Sequence, residues 1–267
     1  MTRIVSKWPL FLLVALQFAC VDTHAEVQAN QLVGFVKTGQ VAALRDALSA
    51  QPLRKTAPSV QGVLMASAVG GGRLDVVDVL LGWGININQP LPIAVNGEPI
   101  NLTPLALAIV SKAPTGTLDG LVKRGADVNL PSESEPPLHQ AICSQQYPTA
   151  NFLLDRGANP KATDATVRMT APMQVALCAQ DADGPAPVEL LKRLAAVGAD
   201  INATNARGGT ALSFAVAAGR IELVRALLEL GANPNTRNDK GVSPLEFAQR
   251  KRRDDIATLL RQFGAKS

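Results

Sequence analysis

The sequence predicts an all-α solenoid of stacked helical units, and two markers that recur together support this fold class. A Gly-Ala-Asp/Asn triplet returns about every 33 residues, the length of one small supersecondary unit. It begins at Gly125, Gly157, Gly198 and Gly231. A Thr-Pro-Leu-like triplet keeps the same spacing and begins at Thr103, Pro136, Ala171, Thr210 and Ser243. A fixed period of this length is typical of units that cannot bury their apolar faces alone and therefore stack.

Each marker has a place in a pair of helices. Proline suits the first helical position, where its missing N–H is not needed, and we expect it there in Pro104, Pro137, Pro172 and Pro244. The second helix carries paired leucines, such as Leu227 and Leu228, on an apolar stripe. The glycine of the first triplet follows that helix, because a left-handed cap residue is easiest for glycine.

Residues 209–233, GTALSFAVAAGRIELVRALLELGAN, resemble an ankyrin repeat, and copies in the same register cover nearly everything after residue 26. The resemblance implies helix–turn–helix units joined by short β-turn fingers. It also implies a protein–protein interaction module with no catalytic activity, no cofactor, no metal and no small-molecule substrate. The protein partner is expected on the concave face and the turn fingers.

The first 25 residues are predicted to be a signal peptide rather than part of the fold. Arg3 and Lys7 form a basic start, an apolar run covers residues 9–19, and small residues precede a cleavage site after Ala25. The run is too short to span a membrane. We therefore expect a soluble protein exported to the bacterial periplasm. A lipoprotein signal, with Cys20 as the lipid-modified first residue, is the alternative.

Residues 26–267 are predicted to form one ankyrin-repeat domain of about seven units. The first unit, residues 26–58, and the last, residues 240–267, are expected to act as caps. The second unit covers residues 59–88, and the others begin near Asn101, Glu135, Thr170 and Gly208.

Two stretches break the period. The turn at residues 89–102 is longer than its equivalents by about seven residues, and the fifth unit holds about six extra residues at 181–187. Such insertions map to loops that often border a binding face, although neutral drift is the alternative. The candidates for partner contact are Gln89, Leu91, Ile93 and Val95 in the first insertion, Ser111, Ser144, Ala179, Ala218 and Lys251 on the inner helices, and Glu133, Glu135, Asp164, Arg207, Asn238 and Asp239 in the fingers.

The charge balance does not favour a nucleic-acid partner. Cleavage would remove Arg3, Lys7 and Asp22 from totals of 26 basic and 22 acidic residues, leaving 24 and 21 and a net charge of +3. Nucleic-acid binding usually needs a concentrated basic face. The run at residues 250–253 (RKRR) is interpreted as a solvated cap helix whose charge Asp254 and Asp255 balance.

Catalysis is not expected either. The mature chain holds one histidine, His139, where the resemblance implies a structural residue that hydrogen-bonds neighbouring turns. Cys143 lies four residues further on, but no third group is placed to orient a Cys–His pair. No metal-ligand spacing or phosphate-binding loop stands out.

Cys143 and Cys178 are the two cysteines of the mature chain, and they occupy the same place in adjacent repeats. An oxidising compartment favours a disulfide between them. Packed helices lie about 8–10 Å apart, however, whereas bonded cysteines usually have Cα atoms within about 7 Å. Two independent, half-buried thiols are therefore the alternative.

Three functions remain open. The first is a periplasmic binding module, in its sharper form an inhibitor or immunity protein that occludes a toxin or hydrolase acting there. The second resembles periplasmic ankyrin proteins linked to peroxide-stress protection, with Cys143 and Cys178 as the redox groups. The third is an enzyme that uses a reactive cysteine, which these residues support least.

Overall fold

The computed structural model describes residues 23–50, 58–95, 98–180 and 183–266. Within these residues, α-helices follow one another in pairs, and the only strands form one two-stranded antiparallel sheet. The predicted all-α repeat fold is thereby confirmed. The chain divides into two compact units, which we call unit 1 and unit 2; unit 1 ends at Glu133 and unit 2 begins at Ser134.

The described residues of unit 1 form three helix pairs and the sheet. Its elements are α1 (Thr23–Thr38), α2 (Val41–Ala50), α3 (Pro58–Gly70), α4 (Leu74–Gly82), β1 (Leu91–Val95), β2 (Glu98–Leu102), α5 (Pro104–Val110) and α6 (Thr115–Lys123). The predicted signal peptide lies outside the described residues except for Thr23, His24 and Ala25, which begin α1.

In unit 2, the part of the chain that the structure describes forms four helix pairs. They are α7 (Pro137–Cys143) with α8 (Tyr147–Asp155), α9 (Ala171–Cys178) with α10 (Ala186–Ala196), α11 (Ala211–Ala218) with α12 (Ile221–Glu229), and α13 (Pro244–Arg250) with α14 (Asp254–Gln262). We call the first helix of each pair the inner helix and the second the outer helix. The inner helices pack in chain order, α7 on α9, α9 on α11 and α11 on α13.

The helix ends follow the predicted chemistry with one correction. Thr210 and Ser243 form capping boxes at the starts of α11 and α13, and Gly198 and Gly231 have positive φ angles of 92° and 86° after the outer helices. Pro172, however, is the second residue of α9 and not the first, because the extended Thr170 is the N-cap residue and the helix begins at Ala171. The fifth repeat is therefore one residue out of the predicted register.

The first insertion is a β-hairpin and not the expected loop. β1 and β2 pair in register, with Leu91 opposite Leu102 and Ile93 opposite Ile100. β1 packs on α3, where a Cβ atom on Gly62 would lie 2.2 Å from the carbonyl oxygen of Pro92. Only glycine permits this close approach of strand to helix. The hairpin is therefore part of the core of unit 1.

The core consists of apolar stripes on both helices of each pair. In α12 the side chains of Val224 and Leu227 are fully buried, and Leu223 and Leu228 are nearly so. α12 contacts α11 within its own pair and also α10 and α14 on either side. Its burial thus depends on both neighbouring repeats.

We predict that Leu227→Ala lowers the free energy of unfolding by about 2–5 kcal/mol, because it leaves a cavity at a fully buried site. Leu177→Ala is the matched control, since 49% of the Leu177 side chain is exposed. Chemical denaturation of both variants measures the difference. A loss below about 1 kcal/mol at Leu227 would contradict the repeat register described above.

Candidate functional site

The structure divides the predicted contact residues by exposure. Six of them are exposed, namely Gln89, Glu133, Arg207, Ala218, Asp239 and Lys251. Four are half-buried, namely Ser111, Glu135, Ser144 and Asn238. Leu91, Ile93, Asp164 and Ala179 are buried. The side chain of Val95 lies outside what the structure describes. The exposed and half-buried residues remain candidates for contact with a partner.

The prediction that Leu91 and Ile93 contact a partner is wrong. Their side chains are 0% and 5% exposed because they face α3 from β1. The sequence offered a signal for this arrangement that the prediction did not use. Apolar residues alternate on either side of Asn96-Gly97, and an Asn-Gly pair between such runs is a strong hairpin signal.

Asp164 has a structural role and not the predicted contact role. Its carboxylate accepts hydrogen bonds from the Thr166 hydroxyl and from the backbone N–H groups of Val167 and Met169, at 2.6–2.8 Å. Burial alone would raise the pKa of Asp164, but these hydrogen bonds outweigh it and lower that pKa below its usual value. Asn205 and Asn238 accept backbone hydrogen bonds in the same way in the next two fingers.

Backbone hydrogen bonds join the fingers of unit 2 to one another. The N–H of Ala206 donates to the carbonyl of Val167 at 2.9 Å, and the N–H of Asp239 donates to the carbonyl of Arg207 at 3.0 Å. These bonds place Arg207 beside Asp239 at the surface. The fingers therefore form a continuous edge whose backbone is fixed before any partner binds.

Equivalent positions on the inner helices of unit 2 are those at the same distance from the N-cap residue. The seventh helical positions hold Cys143, Leu177, Ala217 and Arg250, and the next positions hold Ser144, Cys178, Ala218 and Lys251. The prediction that Cys143 and Cys178 occupy the same place in adjacent repeats is therefore wrong by one position, and Ala179 lies one residue beyond the position of Ser144 and Ala218. Ala179 stands where Gln145 and Gly219 have positive φ angles of 57° and 78°, but its own backbone is extended and its side chain is buried.

Cys143 and Cys178 form a disulfide, with their Cα atoms 5.0 Å apart. The spacing of helix axes did not predict this distance, because facing residues on two packed helices approach more closely than the axes do. Gln174 Oε1 lies 3.1 Å from Cys143 Sγ, and Gln145 Nε2 donates to the carbonyl of Cys178 at 3.4 Å. The bond joins the inner helices of the fourth and fifth repeats.

The other repeat junctions of unit 2 are joined by asparagine side chains. Asn202 Nδ2 donates to the carbonyl of Gly231 at 2.9 Å, and its Oδ1 accepts from the N–H of Asn233 at 2.7 Å. Asn235 makes the same pair of bonds to Gly264 and Lys266, at 3.1 and 2.8 Å. Each asparagine thus connects the turn after one outer helix to the turn after the next.

Lys161 stands at the equivalent place between the fourth and fifth repeats. Its N–H donates to Asn159 Oδ1 at 3.0 Å, as the N–H of Asn202 donates to Asp200 Oδ1. A lysine side chain has no acceptor and cannot make the asparagine bridge. At this junction the disulfide supplies a connection, as does a 2.6 Å hydrogen bond from the Tyr147 hydroxyl to Asp183 in the second insertion.

His139 and Glu135 lie near Asp164 in unit 2. His139 is fully buried, and burial lowers its pKa to about 4, so the ring is neutral at physiological pH. The backbone of Ala162, in the neighbouring turn, and the Asp164 carboxylate act against this lowering without cancelling it. Burial, with a smaller contribution from the Asp164 carboxylate, raises the pKa of Glu135 to about 7. A side chain with no exposed surface cannot reach a substrate, so His139 is structural.

Neither a metal cluster nor a membrane span is apparent in the described ranges. No group of three or more His, Cys, Asp or Glu side chains there could hold a metal ion. No described helix is long and apolar enough to cross a bilayer.

We predict that Cys143→Ser/Cys178→Ser lowers the free energy of unfolding by about 2–4 kcal/mol. In that background, Lys161→Asn should restore about 0.5–1.5 kcal/mol, because asparagine can bridge to the Gly198 and Asp200 backbone. Lys161→Ala is the control, and it cannot make the bridge. Equal stability of the two Lys161 variants would show that the asparagine bridge does not hold this junction.

We predict that Glu135→Gln stabilises the protein at pH 8 by about 1–2 kcal/mol and has little effect at pH 4. The folded state raises the pKa of Glu135 to about 7 from an ordinary value of 4.5, so it holds the proton more tightly than the unfolded chain. The free energy of unfolding therefore falls as pH rises between these values, and glutamine removes that loss. Urea denaturation across pH measures it, with exposed Glu229→Gln as control. The same pH dependence in both variants would contradict the burial of Glu135.

A family model described as ankyrin repeats (3 copies) matches residues 64–164 and 176–266. Zygote-specific protein 3 of Chlamydomonas reinhardtii is 34% identical over 114 residues, which are 42% of this chain and 28% of that protein. The match thus spans less than a third of the curated relative. The ankyrin repeats of this chain indicate a protein–protein interaction module. The chain belongs to the ankyrin-repeat family, because the family model matches most of the repeats described above.

Proposed function

We propose that this protein is a non-catalytic binding module of the bacterial periplasm that inhibits, or gives immunity to, a toxin or hydrolase acting there. The observation that carries the proposal is the disulfide between Cys143 and Cys178 within a family of binding repeats. Disulfides persist in the periplasm and other oxidising compartments and are rare in the cytosol. The signal peptide predicted at residues 1–25 supports the same location.

Inhibition by occlusion requires a preformed surface and no reactive group. The backbone bonds between the fingers and the covalent bond between α7 and α9 fix the surface of unit 2 before binding. A surface that is already ordered loses less conformational entropy on association. Four of the six exposed candidates, Arg207, Ala218, Asp239 and Lys251, lie on unit 2.

Export can be tested on the full chain expressed in a Gram-negative bacterium. We expect the periplasmic fraction to contain a protein whose intact mass corresponds to an N-terminus at Glu26. A variant that lacks residues 2–25 should stay in the cytoplasm. Cleavage after Ala25 removes only the first three residues of α1. A lipid-modified N-terminus at Cys20 would support the lipoprotein alternative. An uncleaved cytoplasmic protein would contradict export.

The inhibitor role is tested by titrating the mature chain, residues 26–267, into envelope extracts of the producing cell. Muramidase, protease and nuclease activities are followed separately. We expect one activity to fall linearly and reach a plateau at a stoichiometric ratio. If none of the three activities changes, the inhibitor form of the proposal is wrong for these classes of hydrolase.

Peroxide-stress protection is the second candidate, and the disulfide favours it because this function would use Cys143 and Cys178 as a pair that is oxidised and reduced. The two functions differ in what they require of the cysteines. A binding module should keep its affinity in the Cys143→Ser/Cys178→Ser variant, measured below its unfolding temperature. Loss of peroxide resistance in cells that carry this variant, with binding unchanged, would support the stress function.

A further inference from the structure

The C-terminal ends of three inner helices in unit 2 form a surface of unusual composition, which we call the inner-end row. Its members are the exposed residues Leu177, Ala217, Ala218, Arg250, Lys251 and Arg252. α11 packs between α9 and α13, so the row runs from Leu177 across the two alanines to the cations. The axes of packed helices lie roughly 8–10 Å apart, so the ends of α9 and α13, on either side of α11, are about 16–20 Å apart.

The apolar end of the row is Leu177. It is 49% exposed, although it belongs to α9 itself, whereas the exposed Val197 and Phe263 are C-cap residues of outer helices. An isolated exposed leucine is ordinary on a protein surface. Here the equivalent position on α11 and the next one hold the small, exposed Ala217 and Ala218, which have no long side chain to cover the leucine. A bulky apolar side chain from another molecule can therefore approach Leu177 from this side.

The basic end of the row has cations without carboxylate partners. Among the described residues, Arg250, Lys251 and Arg252 form no ion pair, and the expected balance by Asp254 and Asp255 does not take the form of direct contacts. The Glu246 carboxylate is engaged by Arg237 at 2.8 Å and by the N–H of Ser243 at 3.1 Å. Arg253, by contrast, donates to the carbonyl of Val216 inside the fold. Arg250 is close enough to the Glu246 carboxylate to lower its pKa, and the Lys251 ammonium lies 5.9 Å from the centre of the Phe247 ring. Neither cation is in an ion pair, so both can still contact an external anion.

We propose that the inner-end row binds an acidic segment of a partner protein, with one bulky apolar side chain beside Leu177 and carboxylates beside Arg250 and Lys251. This inference rests on the proposed protein-binding function and names the chemistry of its partner. An extended peptide rises about 3.3 Å per residue, so the apolar side chain and the carboxylates are about five or six residues apart. Charge complementarity fixes the direction of the segment, and Leu177 supplies an apolar anchor.

A protein segment fits this row better than nucleic acid does. Three adjacent cations make a short basic patch, whereas nucleic-acid binding usually extends over a longer basic stripe with phosphate contacts along it. The leucine and alanines at the other end offer nothing to a phosphate backbone. The chemistry of the whole row is accounted for by a peptide that carries both an apolar and an acidic part.

The test selects displayed random 12-residue peptides on the mature, disulfide-bonded chain and measures the affinities of synthetic copies. We expect selected peptides to be enriched in Asp and Glu, with a bulky apolar residue five or six positions away. Arg250→Glu/Lys251→Glu should weaken binding at least about tenfold, and Leu177→Ala about threefold to tenfold. Arg225→Glu/Arg261→Glu, the matched control on the outer helices, should change affinity less than about twofold. Thermal unfolding of each variant confirms that it is folded.

Any one of the following results would overturn the inference. The first is that no peptide is selected, or that selected peptides lack acidic enrichment. The second is equal loss of affinity in the row and control variants. The third is that poly(U) or vesicles containing phosphatidylglycerol bind as tightly as the peptides and are insensitive to Leu177→Ala, which would indicate a general polyanion site. If an envelope partner still binds the row variants at full affinity, the protein-binding function stands and this inference fails.

Discussion

Contact between neighbouring repeats is the interaction on which this structure depends. The helices of unit 2 have only seven to eleven residues, and isolated helices shorter than about 12–15 residues are marginal in water. α11 therefore needs α9, α12 and α13 to bury its apolar surface, and α12 needs α10 and α14. The asparagine bridges and the disulfide act at the same junctions, between turns and between inner helices. Stability and the position of surface residues thus have one origin.

The sequence predicted the parts of the fold that repeat. Thr210, Ser243 and the glycines after the outer helices have their structural roles because local backbone chemistry decides caps and turns. The departures from the repeat were harder to predict. Alternating apolar residues around Asn96-Gly97 signal the two strands, but that signal does not show that β1 packs on α3, and nothing in the local sequence marks the one-residue shift of α9. The periodicity located both insertions but not their structures.

The candidate site shows the same division. Arg207, Ala218 and Lys251 are exposed as predicted, because their exposure follows from position in a regular repeat. Leu91 and Ile93 are buried because the first irregular stretch packs on α3, and Ala179 is buried at the end of α9, two residues before the second. Asp164 was mistaken for a contact residue because a polar side chain in a turn can serve either the solvent or its own backbone. Its hydrogen bonds to Val167 and Met169 show which of these holds.

The irregular junction between the fourth and fifth repeats contributes both to the stability of unit 2 and to the proposed binding surface. Lys161 replaces a bridging asparagine there, and the disulfide and the Tyr147–Asp183 hydrogen bond connect the repeats by other means. Leu177 is exposed next to Cys178 on the same helix. A covalently fixed helix end thus presents the apolar residue of the inner-end row, and the regular repeats after it present the cations.

Affinity capture from the envelope fraction of the producing cell, with the disulfide-bonded mature chain as bait, tests the central claim most directly. The account predicts one partner bound at a fixed stoichiometry. Excess free chain should compete with the bait for this partner. A Leu227→Ala bait that is held above its transition temperature, and is therefore unfolded, should not retain it. The folded bait is compared with the unfolded one, using cells that contain the protein. If the folded bait recovers no more of any partner than the unfolded bait does, the claim that the repeats form a protein-binding surface is contradicted.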